Sequence, residues 1–312
     1  MMGSALLVAG VAAVLCPHQV VFVDTATATV ARTVELPGDG LALFAAPDGR
    51  VVVPLAGEDS TSVVGVSGRI EQWRGRVFPM FFADFDRMHT VMPEELVTLS
   101  YPERVPVVRL PLPGVLAARR SACSADGRLV AVVPSGSNQR SLVMVAALEG
   151  GTVSRVALTE EASEVALAPQ GTFAITVSES GTVEVVGAGQ PRPLGTLDLK
   201  GSGRAVVATP DGRGALVGLA QGRGGEIVGL KVDVSAKRPL KERSRTTLRS
   251  APLALVVGED EVVAATADGV VVLSRAGTSV RREIALTGAR AVALLSARPR
   301  SAVPSWSDGP TP

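Results

Sequence analysis

The chain repeats itself. A short apolar strand, a polar turn centred on Asp-Gly or a close variant, and a second apolar strand recur along its length. The unit reads LALFAAPDGRVVVPL around Asp48, RSACSADGRLVAVVP around Asp126, EVALAPQGTFAITVS around Gln170 and AVVATPDGRGALVGL around Asp211. A looser copy, LALVVGEDEVVAAT, surrounds Asp260, and MFFADFDRMHTVMP places Asp86 at a further turn. From Asp48 onward the steps between turn centres are 38, 40, 44, 41 and 49 residues. A period of about 40 to 45 residues, with short strands and almost no helical periodicity, matches four-stranded sheets arranged radially as the blades of a propeller.

The turn chemistry gives the motif its physical meaning. Asp-Gly between two β-branched runs is a strong local hairpin signal, because glycine accepts the positive φ that such turns need. Proline before the aspartate, as in Pro47-Asp48-Gly49 and Pro210-Asp211-Gly212, pre-sets the chain for the turn. The flanking strands are continuous apolar runs, as expected where both faces of a sheet are covered. Third and fourth strands follow each hairpin: GTVEVV from Gly181 and GTLDL from Gly195, or SLVMVA from Ser141 and VSRVAL from Val153. One stretch, residues 246–257, has a faint helical period, and Pro252 interrupts it.

The two chain ends read as halves of one more blade. Residues 12–15, 19–24 and 30–36 look like second, third and fourth strands with no first. Residues 289–296, ARAVALLS, look like a first strand with nothing after it. Pairing them completes a seventh blade and leaves no open sheet edge in the ring. The expected fold is therefore all-β: a single seven-bladed propeller of four-stranded antiparallel blades over residues 1–296, its last blade closed by the N- and C-terminal strands. Residues 297–312, rich in Pro and Ser, read as a flexible tail.

Residues 20–53, VVFVDTATATVARTVELPGDGLALFAAPDGRVVV, carry a family resemblance. They are similar to the YVTN-type seven-bladed β-propeller repeat. Asp24, Thr25, Ala26 and Thr27 stand where that family has its Asp-Thr-Ala-Thr turn, and Pro47 to Arg50 match its Pro-Asp-Gly-Arg hairpin. The name-giving Tyr-Val-Thr-Asn strand is absent, as are the Gly-His and Trp-Asp pairs of WD40 repeats. The resemblance implies a propeller and does not imply one activity, because this architecture hosts many.

Composition narrows the function. A formal net charge of +1 on 312 residues excludes a strongly basic nucleic-acid binder, and 3% aromatic content is low for a stacking surface. Two Cys and two His make neither a disulfide framework nor a His-built metal centre, and Cys16 and Cys123, on different blades, read as free thiols buried in strands. There is no Gly-x-Ser-x-Gly elbow and no Walker A loop; Gly222-Arg223-Gly224-Gly225 reads as a turn between strands. His18, in a loop, and His89, in a strand, fall on different blades and read as structural. Acidic knots such as Glu58-Asp59, Glu160-Glu161 and Glu259-Asp260-Glu261 read as solvated turns, and no metal or cofactor is expected. Residues 4–15, SALLVAGVAAVL, have the length of a signal-peptide core, yet no Lys or Arg precedes them and Leu15 stands before Cys16. They read as two buried strands broken at Gly10. A cytoplasmic protein without a membrane span is the expectation, and an exported one is the alternative.

Two segments stand out as partner surfaces. Residues 236–249, AKRPLKERSRTTLR, hold Lys237, Arg238, Lys241, Arg243, Arg245 and Arg249 against one acid, Glu242, and read as a basic insertion. Residues 78–92 hold Phe78, Phe81, Phe82 and Phe85 with Met80, Met88 and Met92 interleaved, which suits either a core or an adaptable protein contact. The function expected is a non-enzymatic scaffold that binds a protein partner through a propeller face or the basic segment. The alternative is a hydrolase or lactonase-like enzyme acting in the central channel, which needs convergent His, Asp or Glu at the channel mouth.

Overall fold

The computed structural model describes residues 10–82, 86–136, 141–146 and 151–295. Blade 1 contains β1 (Val11–Cys16), β2 (Gln19–Asp24) and β3 (Thr29–Glu35). Blade 2 follows with β4 (Phe44–Ala45), β5 (Val51–Pro54), β6 (Ser60–Val64) and β7 (Ile70–Arg74), and blade 3 with β8 (Met80–Phe81), β9 (Arg87–Met92), β10 (Glu95–Ser100) and β11 (Pro106–Pro111). Blade 4 is β12 (Ala118–Cys123), β13 (Leu129–Pro134), β14 (Ser141–Ala146) and β15 (Val153–Ala157). Blade 5 is β16 (Ala162–Leu167), β17 (Phe173–Ser178), β18 (Thr182–Gly187) and β19 (Gly195–Asp198). Blade 6 is β20 (Ser202–Ala208), β21 (Gly214–Gln221), β22 (Gly224–Val232) and β23 (Leu240–Leu248). Blade 7 is β24 (Pro252–Val257), β25 (Glu261–Thr266), β26 (Gly269–Ser274) and β27 (Val280–Ala285), and β28 (Ala291–Leu295) returns to blade 1.

Every sheet is a four-stranded antiparallel meander, and in blade 1 the order is β28-β1-β2-β3. β28 pairs antiparallel with β1, from Leu15 opposite Ala291 to Val11 opposite Leu295. The Arg290 N–H extends this seam by donating to the Leu15 carbonyl at 2.8 Å. The first strands stand side by side around the axis: β12 against β16, β16 against β20, β20 against β24, β24 against β28 and β28 against β4. The chain is a seven-bladed β-propeller. Its ends close blade 1 as the sequence anticipates, with β28 starting two residues later than expected. Residues 1–9 and 296–312, which include the first half of the apolar N-terminal run and the expected tail, lie outside the described residues.

Burial explains the apolar runs. Seven hydrophobic clusters fill the seven gaps between neighbouring blades. Second strands such as β1, β5 and β17 are buried at every position, because each is covered on both faces. Fourth strands such as β3, β7 and β27 are exposed over most of their length and form the outer rim. The antiparallel meander sorts the loops onto two faces. First-to-second and third-to-fourth turns lie on what we call the hairpin face; second-to-third turns and blade-to-blade links lie on the connection face. Among the described residues no helix is long and apolar enough to cross a membrane.

The basic segment proves not to be an insertion. It is the turn between β22 and β23 followed by β23 itself, the outer strand of blade 6. The long step of 49 residues arises because β21, β22 and β23 have 8, 9 and 9 residues. Residues 246–257 are likewise not helical but span the end of β23 and the whole of β24.

Candidate interaction surfaces

The connection face exposes an apolar arc. Leu41, Phe78 and Leu116 lie in the successive links from blade 1 to 2, 2 to 3 and 3 to 4, and they are 48%, 39% and 69% exposed. Their loops are held by buried neighbours, Val77 beside Phe78 and Val115 beside Leu116. The Leu112 N–H donates to the Glu94 carbonyl at 2.6 Å, and the Val115 N–H to the Leu112 carbonyl at 3.0 Å. Phe78 meets Phe44 of the innermost strand edge-on, with centroids 6.4 Å apart. Single exposed apolar side chains are common on protein surfaces; what distinguishes these three is their place in successive links on one face.

A charged sector continues the arc. In blades 4 to 7 the first strand carries a bulge near its start, and the extra residues are Arg119, Ser163, Arg204 and Leu253. A bulge re-aims the side chain of the extra residue; Arg119, Arg204 and Leu253 are partly or fully exposed, whereas Ser163 is buried, its hydroxyl donating to the Val177 carbonyl at 2.8 Å. Arg119 pairs with Glu161 and, at 3.4 Å, with Glu179. Arg120 Nε lies 2.5 Å from Glu164 Oε1. Burial pushes the Glu164 carboxyl up, and the Arg120 charge opposes that shift. Arg204 is exposed and makes no ion pair among the described residues. These ion pairs tie blade 4 to blade 5, and the two solvent-exposed pairs of Arg119 each contribute about 0–1 kcal/mol.

The structure divides the basic segment. Arg245 is clamped by Glu226 and Glu242, the latter at 3.0 Å, and these carboxylates hold its guanidinium firmly protonated. Arg249 reaches Glu283 of blade 7 at 3.2 Å. Lys237 and Arg238 lie in the turn, and Lys241 and Arg243 on β23; none of the four has an ion pair among the described residues. Lys231 belongs with them, because β22 places it directly opposite Lys241. Sequence reading missed Lys231, since only the strand register reveals that neighbour.

The phenylalanine cluster also divides. Phe78 is exposed, Phe81 half-buried and Phe82 buried, while Phe85 lies outside the described residues. Met80 and Met88 are core and Met92 is exposed. Phe82 stacks on His89 with centroids 4.5 Å apart. His89 Nε2 lies 2.8 Å from the Gly127 carbonyl, which can only accept, so Nε2 carries the proton and Nδ1 accepts from the Thr98 hydroxyl at 3.0 Å. Gly127 has φ of 70°, and a Cβ there would meet the Phe82 ring at 2.5 Å. His89 is thus a structural clasp between blades 3 and 4. Burial lowers its pKa from the ordinary 6.5, so below that pH the unfolded chain takes up the proton more readily than the fold. Stability should therefore fall as pH drops below about 6.5, with a lower denaturation midpoint at pH 5.5 than at pH 7.5. His89→Gln should shrink that difference, and an equal pH response in both proteins would refute the assignment.

Both thiols are free, as expected, Cys16 on β1 and Cys123 on β12. The expectation of full burial holds for Cys16 alone. Cys123 is intermediate because β12 is an innermost strand beside the channel. Its S–H nevertheless donates to the Phe81 carbonyl at 3.4 Å, and burial pushes the thiol up to about 12. Burial raises Cys16 as well. Because the thiolate is the reactive form, both should react slowly with a thiol reagent in the folded protein and fully in denaturant. A fast native reaction at either position would contradict this.

No protein-family model matches the chain, and no curated protein matches it. Its likeness is to solved structures. A functionally unknown protein from Desulfotomaculum acetoxidans superposes with a TM-score of 0.71 at 14% identity, covering 92% of this chain and 99% of that one. The RRP9 WD40 repeats give 0.68 at 10% identity, with 82% and 84% covered. Kuenenia stuttgartiensis hydrazine synthase gives 0.64 at 11% identity, with 81% and 88% covered. The likeness is one of fold.

Proposed function

We propose that the protein is a non-enzymatic scaffold that holds a protein partner on its connection face, over the mouth of the channel. The observation that carries this reading is the arc of Leu41, Phe78 and Leu116 on three successive links, flanked by the bulged arginines Arg119 and Arg204 of blades 4 and 6. An apolar patch beside a rim of charge is the usual anatomy of a protein contact: the apolar part supplies burial, and the charges set orientation and encounter rate. The loops are already pinned by backbone hydrogen bonds, so little ordering cost falls on binding. The fold likeness to the RRP9 WD40 repeats supports a role of this kind. The YVTN-like reading of blade 1 gains support from Asp24, whose Oδ1 accepts the N–H groups of Ala26 at 2.8 Å and Thr27 at 2.9 Å to close the Asp-Thr-Ala-Thr turn.

A photo-crosslinking residue placed at Leu116 in the native host tests the proposal. Val105, exposed in the turn between β10 and β11 on the hairpin face, serves as the control position. The expected result is a discrete protein adduct from position 116 that position 105 does not give. Identical adduct patterns, or none at position 116, would reject the connection face as the docking surface.

A further inference from the structure

We infer that the hairpin-face end of blade 6 binds a short acidic peptide segment, on a surface separate from the connection face. The key observation is a pair of like charges. Lys231 on β22 stands directly opposite Lys241 on β23, and both side chains are exposed without an ion pair among the described residues. Directly opposed like charges destabilise an antiparallel pair, and an anion bound between them would relieve that repulsion. Arg243 is the extra residue of the bulge in the same strand pair. Lys237 and Arg238 occupy the adjoining turn, and Arg213 lies in the neighbouring hairpin, where its carbonyl accepts the Val232 N–H at 2.9 Å.

The nearby carboxylates offset this group only in part: hydrogen bonds from Ser235 and Thr209, together with the charges of Lys231 and Arg213, lower the Asp233 and Asp211 carboxyls and keep both ionised. Asp211 Oδ1 accepts the Thr209 hydroxyl at 2.6 Å and the Arg213 N–H at 3.1 Å within its own turn. Asp233 Oδ1 likewise accepts the Ser235 hydroxyl at 2.7 Å. Glu226 and Glu242 are engaged by Arg245. Six cations thus stand against the two turn acids and the one surplus negative charge of the Glu226–Arg245–Glu242 clamp, which leaves the group net positive.

The charge distribution selects the partner. The whole chain is only +1, so the remainder of the molecule is net acidic and repels a long polyanion that runs beyond blade 6. A short run of Asp or Glu fits within the patch, and none of the six residues offers a ring for stacking bases.

Fluorescence anisotropy of a labelled ten-residue polyglutamate peptide, with a ten-nucleotide oligo-dT as comparison, tests the inference. The peptide is expected to bind saturably at low ionic strength and to weaken as salt rises. The double variant Lys231→Gln/Lys241→Gln should bind it about tenfold more weakly with its melting temperature kept. Arg245→Gln should stay within about twofold of the parent, because its charge is already satisfied. Absence of saturable binding, equal affinity in the double variant, or tighter binding of the oligonucleotide would each overturn the proposal. The measurement needs no native partner, so its outcome is independent of crosslinking at Leu116.

Discussion

Deleting residues 289–312 is expected to abolish cooperative folding, whereas deleting residues 301–312 should leave the melting temperature nearly unchanged. The longer deletion removes β28, the first strand of blade 1. Val292 packs in the cluster between blades 7 and 1, and Leu295 in the cluster between blades 1 and 2. A fully buried Val or Leu contributes about 1.5–3 kcal/mol, and a domain's net stability is only about 5–15 kcal/mol. Loss of these two side chains alone takes a large share. The deletion also strips β1 of its partner, leaving a row of unpaired backbone groups beside the channel. The shorter deletion removes no residue named in the seven clusters. Thermal melts of the three chains decide the point, and equal stability of both truncations would refute the ring-closing role of β28.

Phe82→Ala is expected to destabilise the protein by about 3–5 kcal/mol, the range for removing a buried phenylalanine ring. The ring lies between His89 and the Gly127 turn, so its loss opens a cavity at the clasp of blades 3 and 4. Phe78→Ala, four residues earlier, should cost less, about 1 kcal/mol, because that side chain is partly exposed and its ring packs edge-on against Phe44 alone among the described rings. Denaturant midpoints of the two variants give the comparison. A mild effect at Phe82, or a large one at Phe78, would show that their burial has been assigned the wrong way round.

The fold was legible because it is written locally and repeatedly. Pro-Asp-Gly and its variants announce each hairpin, and strand boundaries such as Ser141–Ala146 come out as read. Even the closing strand was visible, since a lone first strand at one end and three later strands at the other have one economical pairing. The surfaces were less legible because they depend on register and on neighbours distant in sequence. Lys231 looks like an isolated lysine until β22 pairs with β23. Leu41 and Leu116 look like ordinary apolar residues, and only the ring brings their links together on one face. The basic segment looked like an insertion because a longer blade and an inserted loop lengthen a repeat equally. Its charge also looked larger than it is, since Glu226 and Glu283, which neutralise Arg245 and Arg249, lie outside the segment. The bulges at Arg119, Arg204 and Leu253 leave no mark in the repeat, because one extra residue hides within its natural variation in length.

The most direct test of the scaffold reading is the affinity of the partner recovered by crosslinking for the parent protein and for the double variant Leu41→Asp/Leu116→Asp. Both positions are exposed, so the variant should keep the parent's melting temperature. Placing two charges in the apolar centre of a contact costs several kcal/mol of binding, and affinity should fall by about a hundredfold or more. Undiminished affinity in a fully folded double variant would contradict the assignment of the connection face.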